Sequence, residues 1–420
     1  MMRSLFSGVA GLKSHQTRMD VIGNNIANVN TVGFKTGRVT FQDTLNQTLS
    51  GSASATGNLG ATNPKQIGLG VGISSIDTIF TDGSVQSTGK NTDLCISGAG
   101  FFVVANGNEN YYTRNGDFQF DPNGTFISVG GGTKVQGWTA DSSGTINTSG
   151  ATGDIVVKAG QTMAAKATTT STFDKNLNAD STVGTAVSTT MTAYDSLGVK
   201  YSIPVTVTRQ TAGAGMSGKW TATIAGTITG SDGTKLTTPA AGTTIFSANF
   251  NSSGAVSGAT PATLNITTTN GSAALSINVD FSSLTQVTGT STLTTDYNGY
   301  TAGTLGSVDL NDQGGVVGTY SNGEKRTLAQ VALAVFNNPA GLTKSGGSLY
   351  SESNSSGKVQ ITSANNGGAG KITPTALEMS NVDLSEQFSD MIITQRGFQS
   401  NSKIITVADE MIETLVNMKR

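Results

Sequence analysis

Apolar residues recur with helical spacing only near the two ends of the 420-residue chain. From residue 5 to residue 26 the intervals alternate between four and three, the pattern of an amphipathic helix or a coiled-coil seam. The same intervals return from residue 384, and Asp383 and Glu386 have capping-box spacing, which predicts a helix from about residue 383 to residue 418. Two matching seams with nothing comparable between them predict that the chain ends pair. The predicted apolar stripe on the two helices comprises Leu5, Val9, Leu12, Met19, Ile26, Leu384, Phe388, Met391, Phe398, Ile404, Met411 and Leu415.

The interior of the chain is dense in turn signals and short strand-like runs. Tetrapeptides such as Asp121-Pro-Asn-Gly124 and Asp195-Ser-Leu-Gly198 favour type I or type I′ turns between antiparallel strands. The composition agrees, because 54 glycines and only 12% charged residues suit turn-rich β structure. We therefore predict a multidomain α+β protein in which mainly antiparallel β domains lie between paired, coiled-coil-like terminal helices.

Composition divides this interior into two predicted β domains. Residues 93–138 hold eight aromatic side chains, whereas residues 161–290 carry only eleven charges and are dominated by Thr, Ser, Ala and Gly. Because strand signals resume after about residue 305, the second domain is predicted to be inserted into the first. The expected division is a terminal helical domain (residues 1–28 and 381–420), an extended connector (29–72), a discontinuous β domain (73–160 and 291–380) and an inserted outer β domain (161–290).

The residue inventory disfavours an enzyme. The chain has one histidine, His15, and one cysteine, Cys95, which leaves no His-containing metal cluster, disulfide framework or well-supported nucleophile. No catalytic, cofactor-binding or metal-binding residue is therefore predicted. A formal net charge of −2 argues against a nucleic-acid partner, since such binders need a basic field.

No membrane span and no secretory leader are predicted either. The longest charge-free run, residues 236–279, consists of Thr, Ser, Gly and Ala rather than the ~20 apolar residues that a spanning helix needs. The N-terminal residues lack the continuous apolar core of a cleaved signal. The chain is thus expected to be cytosolic or to be exported by a route that reads something else.

Several sequence blocks stand out at the two ends of the chain. The longest block runs from residue 24 to residue 35 and contains Asn24, Asn25, Asn28, Asn30, Gly33, Phe34 and Lys35. Further blocks lie at residues 93–104, 112–118, 135–138, 336–342, 377–384 and 395–398. Together these blocks resemble the signatures of the bacterial flagellar rod and hook protein family. The resemblance is specific over roughly residues 1–140 and 305–420, and residues 192–198 resemble the front of the outer domain in hook-type members.

The resemblance implies a structural role. Hook-type subunits of this family assemble helically into a curved, hollow tube, which transmits torque from rod to filament as a flexible universal joint. The apolar stripe would then make polymerisation contacts around the inner channel. The implied partners are further copies of the chain, the distal rod protein, the hook–filament junction protein, the hook cap and the flagellar export apparatus. The implied location is the flagellum outside the cell, reached without a cleaved signal peptide.

Two alternatives stay open at this point. The distal rod protein of the same family is similar at both ends but much shorter, so a rod-like axial protein is one of them. A secreted β-rich adhesin is the other, because its Thr and Gly content would be similar. An adhesin would need a leader, however, and would not explain two matching helical ends.

Overall fold

A computed structural model describes residues 2–52, 54, 60–213, 215–236, 239–257 and 261–418. The predicted domains also include residues 1, 53, 55–59, 214, 237–238, 258–260 and 419–420, which lie outside the described residues. The chain divides into two compact units. The first comprises Met1–Lys158, Asp309–Val317 and Thr327–Arg420, and the second comprises Ala159–Val308 and Gly318–Arg326.

Two long helices mark the ends of the first unit. Helix α1 spans Met2–Ala27 and helix α2 spans Leu384–Asn417. Asp383 is the N-cap of α2, and its carboxylate accepts hydrogen bonds from the backbone N–H groups of Ser385 and Glu386, as the spacing predicts. No helix in the described part of the chain is long and apolar enough to cross a membrane.

A β ribbon made of two antiparallel strand pairs lies in the predicted connector and continues to residue 78. Its strands are β1 (Gly37–Asp43), β2 (Asn46–Ser50), β3 (Lys65–Gly68) and β4 (Val71–Thr78). β1 pairs with β4 and β2 pairs with β3, both antiparallel. The connector therefore contains regular structure that the sequence did not indicate. Every residue of β2 and β3 is exposed, so these strands lack the alternation of buried and exposed residues that reveals a strand.

The aromatic β region follows the ribbon. Its first strands are β5 (Val85–Ser87), β6 (Leu94–Ser97), β7 (Phe101–Asn106), β8 (Glu109–Thr113), β9 (Phe118–Phe120), β10 (Phe126–Ser128), β11 (Lys134–Thr139) and β12 (Gly153–Asp154).

The second unit contains two sheets that share one apolar core. In one sheet the order is β22-β23-β14-β24, with β25 also on β14; in the other it is β19-β18-β16-β17-β20-β21, with β15 on β16. Pairing is antiparallel except that β14 runs parallel to β23 and β24. The core includes Phe173 from the first sheet and Trp220 from the second. The strands are β13 (Thr162–Met163), β14 (Thr170–Asn178), β15 (Ala186–Tyr194), β16 (Lys200–Gln210), β17 (Gly218–Ile224), β18 (Ile228–Gly230), β19 (Lys235–Leu236), β20 (Thr244–Phe250), β21 (Val256–Ser257), β22 (Ala262–Ile266), β23 (Leu275–Asp280), β24 (Leu284–Val287) and β25 (Thr294–Tyr297).

This unit ends later than the sequence predicts. The predicted end was residue 290, but the unit runs to Val308 and takes in residues 318–326. The physical reason is strand pairing across the unit, because β25 pairs with β14 and Gly303 pairs with Met163.

The remaining strands run through both units or return to the first. They are β26 (Gly303–Leu310), β27 (Gly315–Tyr320), β28 (Lys325–Val331), β29 (Leu333–Val335), β30 (Thr343–Gly346), β31 (Leu349–Ser351), β32 (Gln360–Thr362), β33 (Lys371–Pro374) and β34 (Ala376–Glu378), with a short 3-10 helix at Pro339–Gly341.

In the first unit these strands complete the aromatic sheet. Its order is β28-β11-β7-β8-β31-β30, and β33 and β34 pair with β6 and β5. The core contains Phe101, Tyr112, Phe336 and Tyr350, whose rings meet edge to face.

Candidate functional site

The two terminal helices lie antiparallel and approach closely through small side chains. A Cβ added at Gly397 would lie 2.7 Å from the His15 ring, and one added at Gly11 would lie 2.7 Å from Nδ2 of Asn401. A Cβ at Gly8 would lie 3.4 Å from Ile405, an ordinary van der Waals contact. Gly11 and Gly397 therefore make room for the Asn401 amide and the His15 ring of the opposite helix.

Polar groups continue this contact towards the end of α1. The Arg18 guanidinium lies 2.9 Å from the Asp390 carboxylate, and Asn25 Nδ2 donates to Gln387 Oε1 at 2.9 Å. Asn25 also binds the backbone of Gly37 in both directions. We call this set the helix contact line; it comprises Gly8, Gly11, His15, Arg18 and Asn25 on α1, and Gln387, Asp390, Gly397, Asn401 and Ile405 on α2.

The helix contact line runs beside the apolar stripe rather than along it. The contact residues on α1 lie one position before the members of the stripe, a rotation of about 100° around the helix. Sequence reasoning missed them because glycine, asparagine and arginine do not register as apolar. Leu5, Leu12, Met19, Ile26, Met391 and Phe398 are partly buried, whereas Val9, Leu384, Phe388, Ile404, Met411 and Leu415 are exposed.

The stripes of the two helices reach the same side of the pair. Met19 and Phe398 line a shallow hollow of about 210 Å³, together with Gln16, Asp20 and Gln395. Exposed large apolar side chains thus lie along both helices, among them Val9 on α1 and Phe388 and Met411 on α2.

A buried ionic cluster lies where α1 ends and α2 begins. Lys35 Nζ lies 2.6 Å from Glu378 Oε1, and the two side chains are 0% and 1% exposed. The ammonium also donates to the carbonyl oxygen of Thr81, while Arg114 Nη1 lies 3.3 Å from Glu378 Oε2 and 3.5 Å from Asp82 Oδ1. We call Lys35, Asp82, Arg114 and Glu378 the clamp. Burial lowers the pKa of Lys35, and the hydrogen bond that its ammonium donates to Glu378 opposes that effect.

Backbone and amide contacts surround the clamp. Gly33 donates to the Glu378 carbonyl oxygen and has a φ of +67°, and a Cβ there would lie 2.7 Å from the Arg114 backbone. Asn381 Oδ1 accepts from the N–H and the hydroxyl of Thr36. The clamp therefore joins the segment after α1, the aromatic sheet and the segment before α2. Sequence reasoning missed its partners Glu378, Arg114 and Asn381, because they are remote in sequence.

The signature residues fall into two groups. Asn25, Gly33 and Lys35 are buried in the contacts just described. Asn28 donates to Asn24 and accepts from the Thr31 hydroxyl, which caps the end of α1. Phe34 packs beneath the Lys344 ammonium, 5.1 Å from the ring centroid, and Asn30 is exposed.

The charged side chains of the clamp form ion pairs that join segments of the chain. In the clamp each charge is paired with another, and burial raises the pKa of the neighbouring Cys95 thiol to about 11, which keeps it protonated. Among the described residues no group of three His, Cys, Asp or Glu side chains could hold a metal ion.

Comparison with known proteins identifies the family to which the chain belongs. A flagellar hook protein FlgE of Treponema pallidum aligns with it at 39% identity over the whole of both chains, and that of Borreliella burgdorferi at 38%, again over both whole chains. The chain belongs to the flagellar hook protein family. The predicted membership of the rod and hook family is thereby confirmed, and so is the role of a structural hook subunit.

Family profiles cover most of this hook family chain. They are the flagella basal body rod protein (residues 5–35), the flagellar hook protein FlgE/F/G D1 domain (95–176), the flagellar basal body protein FlaE D2 domain (167–300) and the flagellar basal body rod FlgEFG protein C-terminal region (373–418). The first covers most of α1 and includes Lys35 of the clamp, and the last covers α2 and includes Glu378 of the clamp.

Two further likenesses bear on the fold and on the alternatives. The crystal structure of the Helicobacter pylori flagellar hook protein FlgE2 matches with a TM-score of 0.52 at 14% identity, covering 70% of this hook family chain and 100% of that chain. Terminal helices with mainly antiparallel sheets thus follow the hook protein fold. A flagellar basal-body rod protein FlgG of Bacillus subtilis is also 30% identical over the whole of both chains.

Proposed function

We propose that the chain polymerises through its paired terminal helices into the curved, hollow tube of the flagellar hook, a universal joint that transmits torque from rod to filament. The observation that carries this proposal is the exposure of the apolar stripe. Phe388 is 51% exposed and Leu415 is 46% exposed, although both belong to helices that are held in place by the helix contact line. Burying one such side chain against a second copy is worth ~1.5 to 3 kcal/mol, so the stripe favours assembly.

We propose the following organisation for the subunit. The paired helices form the inner domain, the ribbon and its flanks form the connector, the aromatic sheet forms the middle domain, and the second unit forms an outer domain inserted into the middle one. The division of the chain into two compact units supports the last part. The role is mechanical, as in the structural hook proteins of the family, and the charges of the clamp hold segments of the chain together.

The partners and the location follow from the family. We propose that the chain contacts further copies of itself, the distal rod protein, the hook–filament junction protein and the hook cap. It reaches the outside of the cell unfolded through the flagellar export apparatus, without a cleaved signal peptide.

A rod-like axial protein is the second candidate function, favoured by the full-length likeness to a rod protein. The two candidates differ in the shape of the polymer, because a rod is straight and a hook is curved. An adhesin would remain a soluble monomer.

Polymerisation of the purified protein, followed by electron microscopy, tests the proposal. Short curved tubes support the hook, straight tubes support the rod, and soluble monomers contradict both. Leu415→Asp places an unpaired carboxylate in the apolar stripe at a cost of several kcal/mol, so this variant is expected to be secreted but not to polymerise. Ser253→Asp is the control, because Ser253 is exposed in a turn of the second unit. Normal tubes from Leu415→Asp would refute the stripe as the assembly surface.

A further inference from the structure

A concave surface lies beside the C-terminal end of α1, where α2 begins. It forms a hollow of about 260 Å³ whose lining includes Asn28, Thr31, Phe34, Lys344, Leu349 and Tyr350. Two of these, Asn28 and Phe34, belong to the family signature. The hollow combines aromatic and aliphatic walls with one cationic side chain, which is the composition of a pocket for an amphipathic segment.

Lys344 supplies the positive charge of this hollow. Its side chain is exposed, and its ammonium lies over the Phe34 ring and donates one long hydrogen bond, 3.4 Å, to the Lys35 carbonyl oxygen. No carboxylate of the described residues forms an ion pair with it. A carboxylate of a second molecule can therefore pair with this ammonium without displacing an existing partner.

The opposite end of the helix pair, formed by the N-terminal end of α1 and the C-terminal end of α2, carries such a carboxylate. Gly8 lies opposite residues 401–405, so Met2 lies opposite about residue 410, and the last turns of α2 project beyond α1. Glu413 in this projecting part is exposed and forms no ion pair with any described residue. Beside it, Leu415 and Val416 are 46% and 61% exposed. The projecting end is thus apolar and acidic up to Asn417; Lys419 and Arg420 lie beyond the described helix.

We propose that the projecting end of α2 docks into the Phe34–Lys344 hollow of a second copy, with Glu413 facing Lys344. This inference rests on the proposed polymerisation and names one of its contacts. The two surfaces lie at opposite ends of the same helix pair, so the contact is head to tail and continues from copy to copy. A head-to-tail contact that does not close on itself generates an open helical polymer.

Reversing each charge alone and both together tests the contact. We expect Lys344→Glu and Glu413→Lys each to raise the critical concentration for polymerisation about tenfold, because each creates a like-charge pair. The double variant is expected to return to within about threefold of the parent, since the charges are again opposite. Lys235→Glu is the matched control, because Lys235 is exposed in β19 of the second unit.

A cross-linking measurement covers the case in which a charge variant does not fold. In a Cys95→Ser background, Leu349→Cys and Val416→Cys together are expected to form a disulfide between copies in the polymer and none in the monomer. Single variants that polymerise like the parent, or a polymer without the cross-link, would overturn the docking contact. If Leu415→Asp still blocks assembly in that case, the proposed function stands and only the location of the contact is wrong.

Discussion

Lys35 Nζ lies 2.6 Å from Glu378 Oε1, and the two residues are separated by 343 positions in the chain. Both side chains are almost completely buried, and Gly83 donates its backbone N–H to the same carboxylate oxygen at 2.9 Å. This pair therefore anchors the N-terminal segment to the segment that leads into α2.

Removing one partner of this pair should destabilise the first unit strongly. Lys35→Met leaves Glu378 buried with Arg114 as its main counterion, and breaking a buried pair costs about 3 to 5 kcal/mol. The control is Lys134→Met, because Lys134 lies 2.7 Å from Asp154 in a pair that is largely exposed, and such pairs are worth about 0 to 1 kcal/mol. Denaturant unfolding measures both variants. Equal losses of stability would contradict the special role of the clamp.

Gly33 and Gly107 have nearly the same φ, but only Gly33 is crowded, so alanine should destabilise the protein more at Gly33 than at Gly107. Gly33 has a φ of +67° and Gly107 a φ of +66°, but a Cβ at Gly107 would meet no atom within 4 Å. Alanine at Gly107 should cost only the left-handed strain, about 1 to 2 kcal/mol. Alanine at Gly33 should cost clearly more, because its Cβ would lie 2.7 Å from the Arg114 backbone. Thermal unfolding of the two variants checks the order.

His15 should make the helix pair sensitive to acid. Burial and the charge of Arg18 lower its pKa, and its Nδ1 has no hydrogen-bond partner among the described residues. A lowered pKa in the folded state means that the unfolded chain binds the proton better, so stability falls as the pH drops below about 6.5. The parent should therefore lose more stability than His15→Gln between about pH 7 and pH 5. Parallel pH profiles would contradict the burial of the imidazole.

Cys95 should be unreactive in the folded protein. Its thiol is buried, and its pKa of about 11 leaves only a small thiolate fraction at neutral pH. Iodoacetamide is expected to modify it only after unfolding. In a Cys95→Ser background, Ser253→Cys is the exposed control and should react at once. Rapid labelling of native Cys95 would show that this strand opens readily.

Local patterns were sufficient to predict the helix ends. The start of α2 depends on Asp383 and the two N–H groups that follow it, so the capping spacing alone locates it. The phase of the helix contact was not predictable in the same way. Close approach selects small or polar residues such as Gly397 and Asn401, and a search for apolar periodicity passes over them.

Long-range partners lie beyond what one sequence indicates. In the sequence alone, Lys35 is indistinguishable from a surface lysine. In the structure it binds Glu378 and the backbone of Thr81, and Arg114 binds the same glutamate. The predicted C-terminal boundary of the second unit, residue 290, differs from the observed one, Val308, for a related reason. Strand β25 belongs to this unit because it pairs with residues 171–174, and nothing in its own composition indicates this partner.

The clamp also has a consequence for incomplete chains. Every bond that holds the end of α1 to the start of α2 joins residues at least 343 positions apart, as in Lys35 with Glu378 and Asn25 with Gln387. A chain that stops short of Glu378, or that has lost its first 35 residues, keeps its interior β structure but has only one half of each bond. If the subunit polymerises through its paired helices, as proposed, such fragments would lack the paired surface. Only subunits that carry both partners of these bonds would then be incorporated.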